Sequence, residues 1–276
     1  MNADVPASRE LAGIAELAAR ATGDRLRTAF RSRPEVDLKR DIHDPVTEHD
    51  MAAEETIREV LAEHAPGSVV IGEEGGVGGG DGDLRWYVDP IDGTANFAVG
   101  LPFFCVSIGA ALGDEMVAGV VYDPVRDDMF TASLDGGATC NGEPIRSRGA
   151  ARDASAVVAT SYPSAHDLSL GREEALRRYG RIVDAFATVR RPGSAALTLA
   201  HVAAGWVDVA YDSSINAWDI AAGLLLVRQA GGTYVPLRGE PGGHDWEAPG
   251  YLACVEGFDL AGSAIAEAAD YKPADS

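Results

Sequence analysis

The spacing of apolar positions divides the chain into a helical beginning, a strand-rich middle and an alternating end. Between Ser8 and about Arg31, Leu11, Ile14, Ala15, Ala18 and Ala19 recur at helical intervals and predict an amphipathic helix. A second helix is expected from about Glu48 to His64, where Ala53, Ile57, Val60 and Leu61 form one stripe before Gly67. The period then shortens. From Phe104 to Ser133, apolar runs are separated by Gly-Asp and Asp-Pro turns, as in an antiparallel meander, and Asn141-Gly142 is a further turn. After about Ser155, strand-like Val157–Thr160 and Val207–Tyr211 alternate with helical Glu173–Phe186, Ser194–Ala204 and Ala217–Ala230, the last ending at Gly231-Gly232. The tract Glu73 to Asp83 is mostly glycine and acid and reads as a flexible loop, either a plain linker or a mobile lid.

The densest chemistry follows the apolar run at Trp86-Tyr87-Val88, where Asp89-Pro90-Ile91-Asp92-Gly93-Thr94 places two carboxylates three residues apart around a proline. Two carboxylates about 4 Å apart repel by roughly 4 kcal/mol at an effective dielectric near 20, so a positive group belongs between them. A hard cation such as Mg²⁺ takes oxygen ligands and keeps positions open for water and phosphate. Pro90 stiffens the turn and can aim the Ile91 carbonyl inward as a further ligand. Gly93 lets backbone approach a ligand, and the Gly93 and Thr94 amides opening a helical turn suit an anion. Taken alone, the string also fits an ordinary Asp-Pro turn. Two further acids have comparable settings: Glu73 ends the run Val69 to Ile71, and Asp219 lies near the start of a helical stretch, where a plain cap is the alternative.

Four separated blocks, Asp44 to Asp50, Gly72-Glu73-Glu74, Trp86 to Gly109 and Trp218 to Gly223, give the chain a resemblance to the inositol monophosphatase family of Mg²⁺-dependent, lithium-inhibited sugar and polyol phosphatases. The resemblance runs over most of the chain. It implies an α/β (α+β) fold, a layered α-β-α-β-α sandwich of the inositol monophosphatase and fructose-1,6-bisphosphatase type. An N-terminal α+β half, 1–150, would carry most metal ligands, and a C-terminal α/β half, 151–276, would carry Asp219 and the substrate-binding residues.

Residue by residue, Glu73, Asp89 and the Ile91 carbonyl resemble the ligands of one Mg²⁺, and Asp89, Asp92 and Asp219 those of a second. Glu73 would also touch a third, weaker ion, giving two to three per site. Asp50 and Thr94 resemble the pair that orients and deprotonates the attacking water, with Glu73 as the further catalytic carboxylate. The Gly93 and Thr94 amides would bind phosphate. Lys39 resembles a lysine near the water network, with a surface lysine as its alternative. The resemblance places the polyol against Asp212 and the Gly193-Ser194-Ala195 backbone. Ala95 replaces a usual threonine, and Asn216 stands where many members have histidine.

Inositol 1-phosphate is the leading substrate the resemblance implies. Fructose 1,6-bisphosphate, histidinol phosphate, a nucleotide 3′-phosphate and a specialised-pathway sugar phosphate are the alternatives. Some bacterial relatives act through protein partners in transcription complexes, which is a different class of role. A homodimer is expected from the family alone. Arg190 and Arg191 could meet a second phosphate or a dimer partner, with surface salt bridges as the alternative.

Composition then narrows the field. With 276 residues and 46% hydrophobic positions the chain can bury a substantial core. The formal charge of −20, from 43 acids against 23 bases of which only Lys39 and Lys272 are lysines, disfavours nucleic acid as a partner. It also repels an anionic substrate, so bound cations must reverse the field locally. Cys105, Cys140 and Cys254 have neither zinc nor disulfide spacing. His43 and His49 flank the first block and are expected to face solvent or make hydrogen bonds, with a place near the site as the alternative. No apolar run nears about 18 residues and no targeting signal is evident, so no membrane partner and a cytoplasmic location are expected.

Overall fold

The computed structural model describes residues 7–32, 34–39 and 45–272. The apolar stripe near the N-terminus forms α1 (Ser8–Ala29), which buries Leu11, Ala15, Ala18 and Leu26. It stops short of the expected Arg31 because Phe30 leaves helical backbone and Arg31 takes φ +67°. Helix α2 (Glu48–His64) has the expected bounds. Its start is set by a capping box in which Thr47 and Asp50 satisfy each other's amides.

Two short strands, β1 (Asp37–Leu38) and β2 (Pro45–Val46), pair ahead of α2. A large sheet follows, built from β3 (Val69–Gly72), β4 (Gly76–Gly79), β5 (Leu84–Asp92), β6 (Cys105–Leu112), β7 (Glu115–Asp123), β8 (Asp128–Ser133), β9 (Gly137–Cys140) and β10 (Glu143–Pro144). The short helix α3 (Thr94–Val99) links β5 to β6. Strand order is β10-β9-β8-β7-β6-β5-β3-β4, and the expected meander is its β6-β7-β8 centre. The later alternation gives β11 (Val157–Thr160), α4 (Ala165–Ala185), β12 (Thr188–Arg190), α5 (Ala195–Ala203), β13 (Val209–Asp212), α6 (Ala217–Gln229), β14 (Thr233–Leu237), β15 (Gly250–Cys254) and α7 (Ala264–Ala268). Five of these strands form a mixed sheet, β12-β11-β13-β15-β14.

Helices α1 and α2 cover one face of the large sheet, and α5 and α6 fill the space between the sheets. Helices α4 and α7 pack together on the far side, where Tyr211 of β13 donates to the Ala268 carbonyl at 3.2 Å. The result is the five-layer α-β-α-β-α sandwich. One core, with Leu26, Ile57, Trp86 and Phe104, lies under α1 and α2; the other surrounds α5 and α6.

Three stretches differ from the sequence expectation. The glycine-rich tract is not an open loop: β4 pairs antiparallel with β3, and the Gly80 and Gly82 amides donate to the Ser68 and Gly67 carbonyls at 2.8 and 3.0 Å. A ladder of backbone hydrogen bonds needs no side chains, and here a β-carbon at Gly79 or Gly80 would run into the backbone of 67–68. Helix α4 begins eight residues before Glu173, at a Ser164–Asp167 capping box, and breaks helical geometry at Gly171. The apolar pattern assigns no element to β14 or β15: β15 is buried at every position, which removes the alternation, whereas β14 is an edge strand with Thr233 exposed and Pro236 within it.

Candidate active site

The two aspartates of the proline turn face one place because the strand is irregular there. In a regular strand, residues three apart point to opposite faces. Here Asp89 pairs with Ser107 and Asp92 with Cys105, so three steps on β5 match two on β6. Pro90, which has no amide to contribute to a ladder, sits in this bulge. The Ile91 amide donates to Asp89 Oδ1 at 3.0 Å and braces the turn. Gly93 then adopts φ +101°, a left-handed conformation suited to glycine, with the Phe103 and Gly193 carbonyls too close for a β-carbon to fit easily.

Asp219 reaches the same place from α6. A close approach of this helix to the sheet is permitted by Gly109 and Gly119, which face each other on β6 and β7; a β-carbon on either would lie 2.7 Å from Ala221 or Ala222. The Ser107 hydroxyl, next to the bulge, donates to the Trp218 carbonyl at 3.0 Å and fixes the first turn of α6. Asp219 accepts the Asn216 amide at 2.6 Å as part of the helix cap, so the capping alternative and the site alternative are met by one side chain. One oxygen from each of Asp89, Asp92 and Asp219 lies within 4.8 Å of the others.

This cluster is enclosed and self-repelling. Asp89 and Asp92 are buried and Asp219 is partly buried. Burial, then the charges of Glu73, Asp92 and Asp219, push the Asp89 carboxyl well above its ordinary range. Burial and the Asp92 charge raise Asp219 to about 8, against the Asn216 amide bond. Asp92 rises to about 6, with burial partly offset by the Ser194 hydroxyl and the Ala196 and Ala195 amides. Among the described residues, no lysine, arginine or histidine side chain pairs with Asp89, Asp92 or Asp219. An all-oxygen set of like charges in a low-dielectric pocket fits a hard divalent cation.

Glu73 follows β3, its amide bonded to the Val88 carbonyl at 3.1 Å. It faces Asp89, and its Oε1 accepts from Lys39 Nζ at 3.0 Å, while Glu74 accepts from the same ammonium at 2.5 Å. Lys39 is thus a member of the acidic site. Burial opposes its charge, but the Glu74 hydrogen bond and the Glu73 charge hold its pKa above the ordinary value.

Asp50 and Thr94 meet as the resemblance implies. The Thr94 hydroxyl lies 2.9 Å from Asp50 Oδ1 and 3.0 Å from the Ile91 carbonyl, either of which can accept its single proton. The Thr47 amide and hydroxyl hold Asp50 Oδ2 at 2.7 and 2.6 Å, leaving Oδ1 directed at Thr94. Burial raises the Asp50 pKa despite the Thr47 hydrogen bonds. His43 and Asp44 lie outside the described residues. His49 is partly buried rather than solvent-facing; its ring packs edge-on against Phe97 at 5.8 Å, and its Nδ1 has no hydrogen-bond partner among the described residues.

The residues assigned to the polyol are placed differently from one another. Asp212 is buried at the end of β13, accepting the Ser161 amide at 2.5 Å and the Tyr251 hydroxyl at 3.1 Å, and burial raises its pKa to about 6. Gly193 adjoins the site, but the Ser194 hydroxyl and the Ala195 and Ala196 amides are directed at Asp92. Asn96 was not singled out from sequence, and its Nδ2 joins the Phe103 and Pro192 carbonyls, each at 2.7 Å, tying the Gly193 segment to α3. Its place directly after Gly-Thr-Ala was the available signal. Arg191 donates to the Tyr162 and Pro163 carbonyls, and neither it nor Arg190 enters an ion pair among the described residues, contrary to the surface-salt-bridge expectation. All three cysteines are free thiols; Cys105 is buried 3.8 Å from Asp92. No helix among the described residues is long and apolar enough to cross a membrane.

The chain as a whole is similar to known proteins. A protein from Pasteurella multocida named Nus factor SuhB is 38% identical over 244 residues, covering 88% of this chain and 90% of the relative. An inositol-1-monophosphatase of Mesorhizobium japonicum is 41% identical over 200 residues, covering 71% and 73%. The crystal structure of the extragenic suppressor protein suhB from Bartonella henselae superposes with a TM-score of 0.81 at 33% identity, over 89% of this chain and 93% of that one. The model of the inositol monophosphatase family matches residues 7–271, and the chain belongs to that family.

Proposed function

We propose that this protein is a Mg²⁺-dependent phosphomonoesterase that hydrolyses a small polyol or sugar phosphate, with inositol 1-phosphate the first candidate. The observation that carries the reading is the convergence of Asp89, Asp92 and Asp219, from a bulged strand and a helix of the other half, to within 4.8 Å beside a Thr94–Asp50 pair. Glu73, Asp89 and the Ile91 carbonyl would hold one ion, Asp89, Asp92 and Asp219 a second, and Glu73 a weaker third. The chemistry such ions supply is acidification of a water molecule and neutralisation of charge on the phosphoryl and leaving oxygens.

The chain's own groups do the rest. The Thr94 hydroxyl accepts a hydrogen bond from the attacking water while donating to Asp50, which fixes the direction of approach. As the water loses its proton to Thr94 Oγ1, the threonine proton passes to Asp50 Oδ1. Burial makes Asp50 a stronger base than a surface carboxylate. The Gly93 and Thr94 amides donate to the phosphoryl oxygens as charge develops there. Asp212 and the Gly193 backbone border the polyol, and Lys39 steadies the Glu73 side of the site.

Phosphate release from a panel of sugar, polyol and nucleotide monophosphates, run with Mg²⁺, with EDTA and with Asp92→Asn, tests the reading. Mg²⁺-dependent turnover of one substrate far above the rest supports it. Silence from a folded, metal-binding protein across the panel removes the proposed substrate class.

The relatives named Nus factor motivate a second reading, a role through protein partners in a transcription complex. Retention of Asp50, Glu73, Asp89, Asp92, Thr94 and Asp219 favours catalysis. Recovery of RNA polymerase with the protein, unchanged by Asp92→Asn, would favour the partner role. A homodimer and inhibition by Li⁺ are further parts of the proposal, open to sedimentation and to inhibition assays.

A further inference from the structure

The buried carboxylate of Glu54 has no part in the chemistry described so far, yet it lies one helical turn from Asp50 on the same face of α2. Its Oε2 accepts the Glu74 amide at 2.7 Å, and its Oε1 accepts the Gly75 amide at 2.8 Å and Arg58 Nε at 2.8 Å. Arg58 in turn donates through Nη2 to the Gly76 carbonyl at 2.6 Å. The helix therefore grips three consecutive residues directly after Glu73. The fit is close: a β-carbon at Gly72 or Gly75 would overlap the Glu54 carboxylate, so both glycines bordering the two glutamates are shaped around it.

We propose that Glu54, braced by Arg58, is a positioning residue that holds the turn after β3 so that the Glu73 carboxylate faces Asp89; this rests on the reading of Glu73 as a metal ligand. Glu54 is not itself a ligand, because both its oxygens are taken by backbone amides and the guanidinium. Without the clamp, the backbone of the turn 73–76 would be held at one end by β3 and at the other by a glycine edge strand, leaving the Lys39 ammonium to tether the Glu73 and Glu74 side chains. The ordering of the backbone that carries Glu73 would then reduce the metal-binding free energy. Helix α2 accordingly aligns two parts of the site from one rigid face, Thr94 through Asp50 and Glu73 through Glu54.

The test is Mn²⁺ binding to the full-length protein without substrate, read by the electron paramagnetic resonance of free Mn²⁺. Parent, Glu54→Gln, Arg58→Ala and Glu73→Gln proteins are compared, with amide exchange at residues 74–76 and circular dichroism alongside. Glu54→Gln cannot accept both amides and should weaken Mn²⁺ binding by about 10-fold or more, the usual effect of losing a group that orients a ligand. It should also speed exchange at Glu74 and Gly75, and excess Mn²⁺ should restore most of kcat. Arg58→Ala should shift binding in the same direction by less. A folded Glu54→Gln protein that binds like the parent, while Glu73→Gln binds weakly, overturns the positioning role alone. Parent-like binding by Glu73→Gln overturns the ligand assignment on which it rests. If Glu54→Gln does not fold, Arg58→Ala decides: unchanged binding and exchange overturn the proposal, and a loss in both supports it.

Discussion

Asp92, at the end of the large sheet, accepts the Ser194 hydroxyl at 2.6 Å, and Ser194 is the N-cap of α5 in the other half of the chain. The Ala196 amide, at 2.7 Å, reaches the same oxygen, so a candidate metal ligand is held in the positive field at the start of a helix. That field opposes burial, which together with the neighbouring acids raises Asp92 to about 6. One contact thereby orients a candidate ligand and ties the end of β5 to the start of α5.

Replacing Ser194 with alanine should act on both roles. Loss of the cap costs about 1 kcal/mol of stability. With Asp92 less firmly oriented, the Mg²⁺ concentration for half-maximal turnover should rise roughly 10-fold. Urea unfolding and Mg²⁺ titration of activity measure the two separately; a stability loss with no change in the Mg²⁺ midpoint would leave Ser194 a cap only.

Asp92→Asn removes the ligand charge and should lower turnover by more than about 100-fold, beyond the usual range for groups outside the ligand set. The amide keeps an oxygen for Ser194, so circular dichroism should report an unchanged fold. Near-parent rates in Mg²⁺ would remove Asp92 from the site.

Thr94→Ala deletes the hydroxyl that lies 2.9 Å from Asp50. The expected result is a kcat reduced by about 10²–10⁴-fold, with KM changed little. A raised KM with kcat intact would mean that Thr94 binds substrate without taking part in proton transfer.

Gly109 has no room for a side chain, its β-carbon position being 2.7 Å from Ala221 Cβ. Gly109→Ala should cost about 1–3 kcal/mol through overpacking. Displacement of α6 should also weaken divalent-ion binding through Asp219. Calorimetry with and without Mg²⁺ distinguishes a loss confined to stability from one that reaches the site.

His201 gives the fold an acid-sensitive element. Its ring lies among Phe103, Phe130 and Trp206, and burial, with the nearby Arg126 adding to it, lowers its pKa to about 4. A histidine kept neutral in the fold contributes stability that is full above its unfolded value near 6.5 and is lost as pH falls toward 4, at most about 3 kcal/mol. His201→Gln should flatten the fall in Tm between pH 6.5 and 4 relative to the parent; parallel curves would remove His201 as its cause.

Local sequence pointed to the helices and to the candidate site through short-range signals. The stripe Ala53, Ile57, Val60 and Leu61 marks α2, and the acids around Pro90 mark a candidate cation site, because helical period and charge repulsion act between near neighbours. Helix α4 escaped in part because its Ser164–Asp167 start precedes Leu168, Leu170 and the break at Gly171, which blur the helical period. The pairing of Gly76–Gly79 with β3 escaped because glycine carries no pattern, and the ladder that holds it belongs to the backbone.

By itself, the sequence determined the periodic helices, the central meander and the kinds of group available for chemistry, since these follow from composition and spacing within a few residues. Only the tertiary structure decided that Asp89 and Asp92 share a face, through the bulge against β6. It also decided that Asp219 comes within reach, through the glycines under α6, and that Ser194 and its neighbouring amides hold Asp92. Those outcomes depend on strand register and close approach between segments more than 80 residues apart in the case of Ser194 and Asp92, which short-range pattern does not encode.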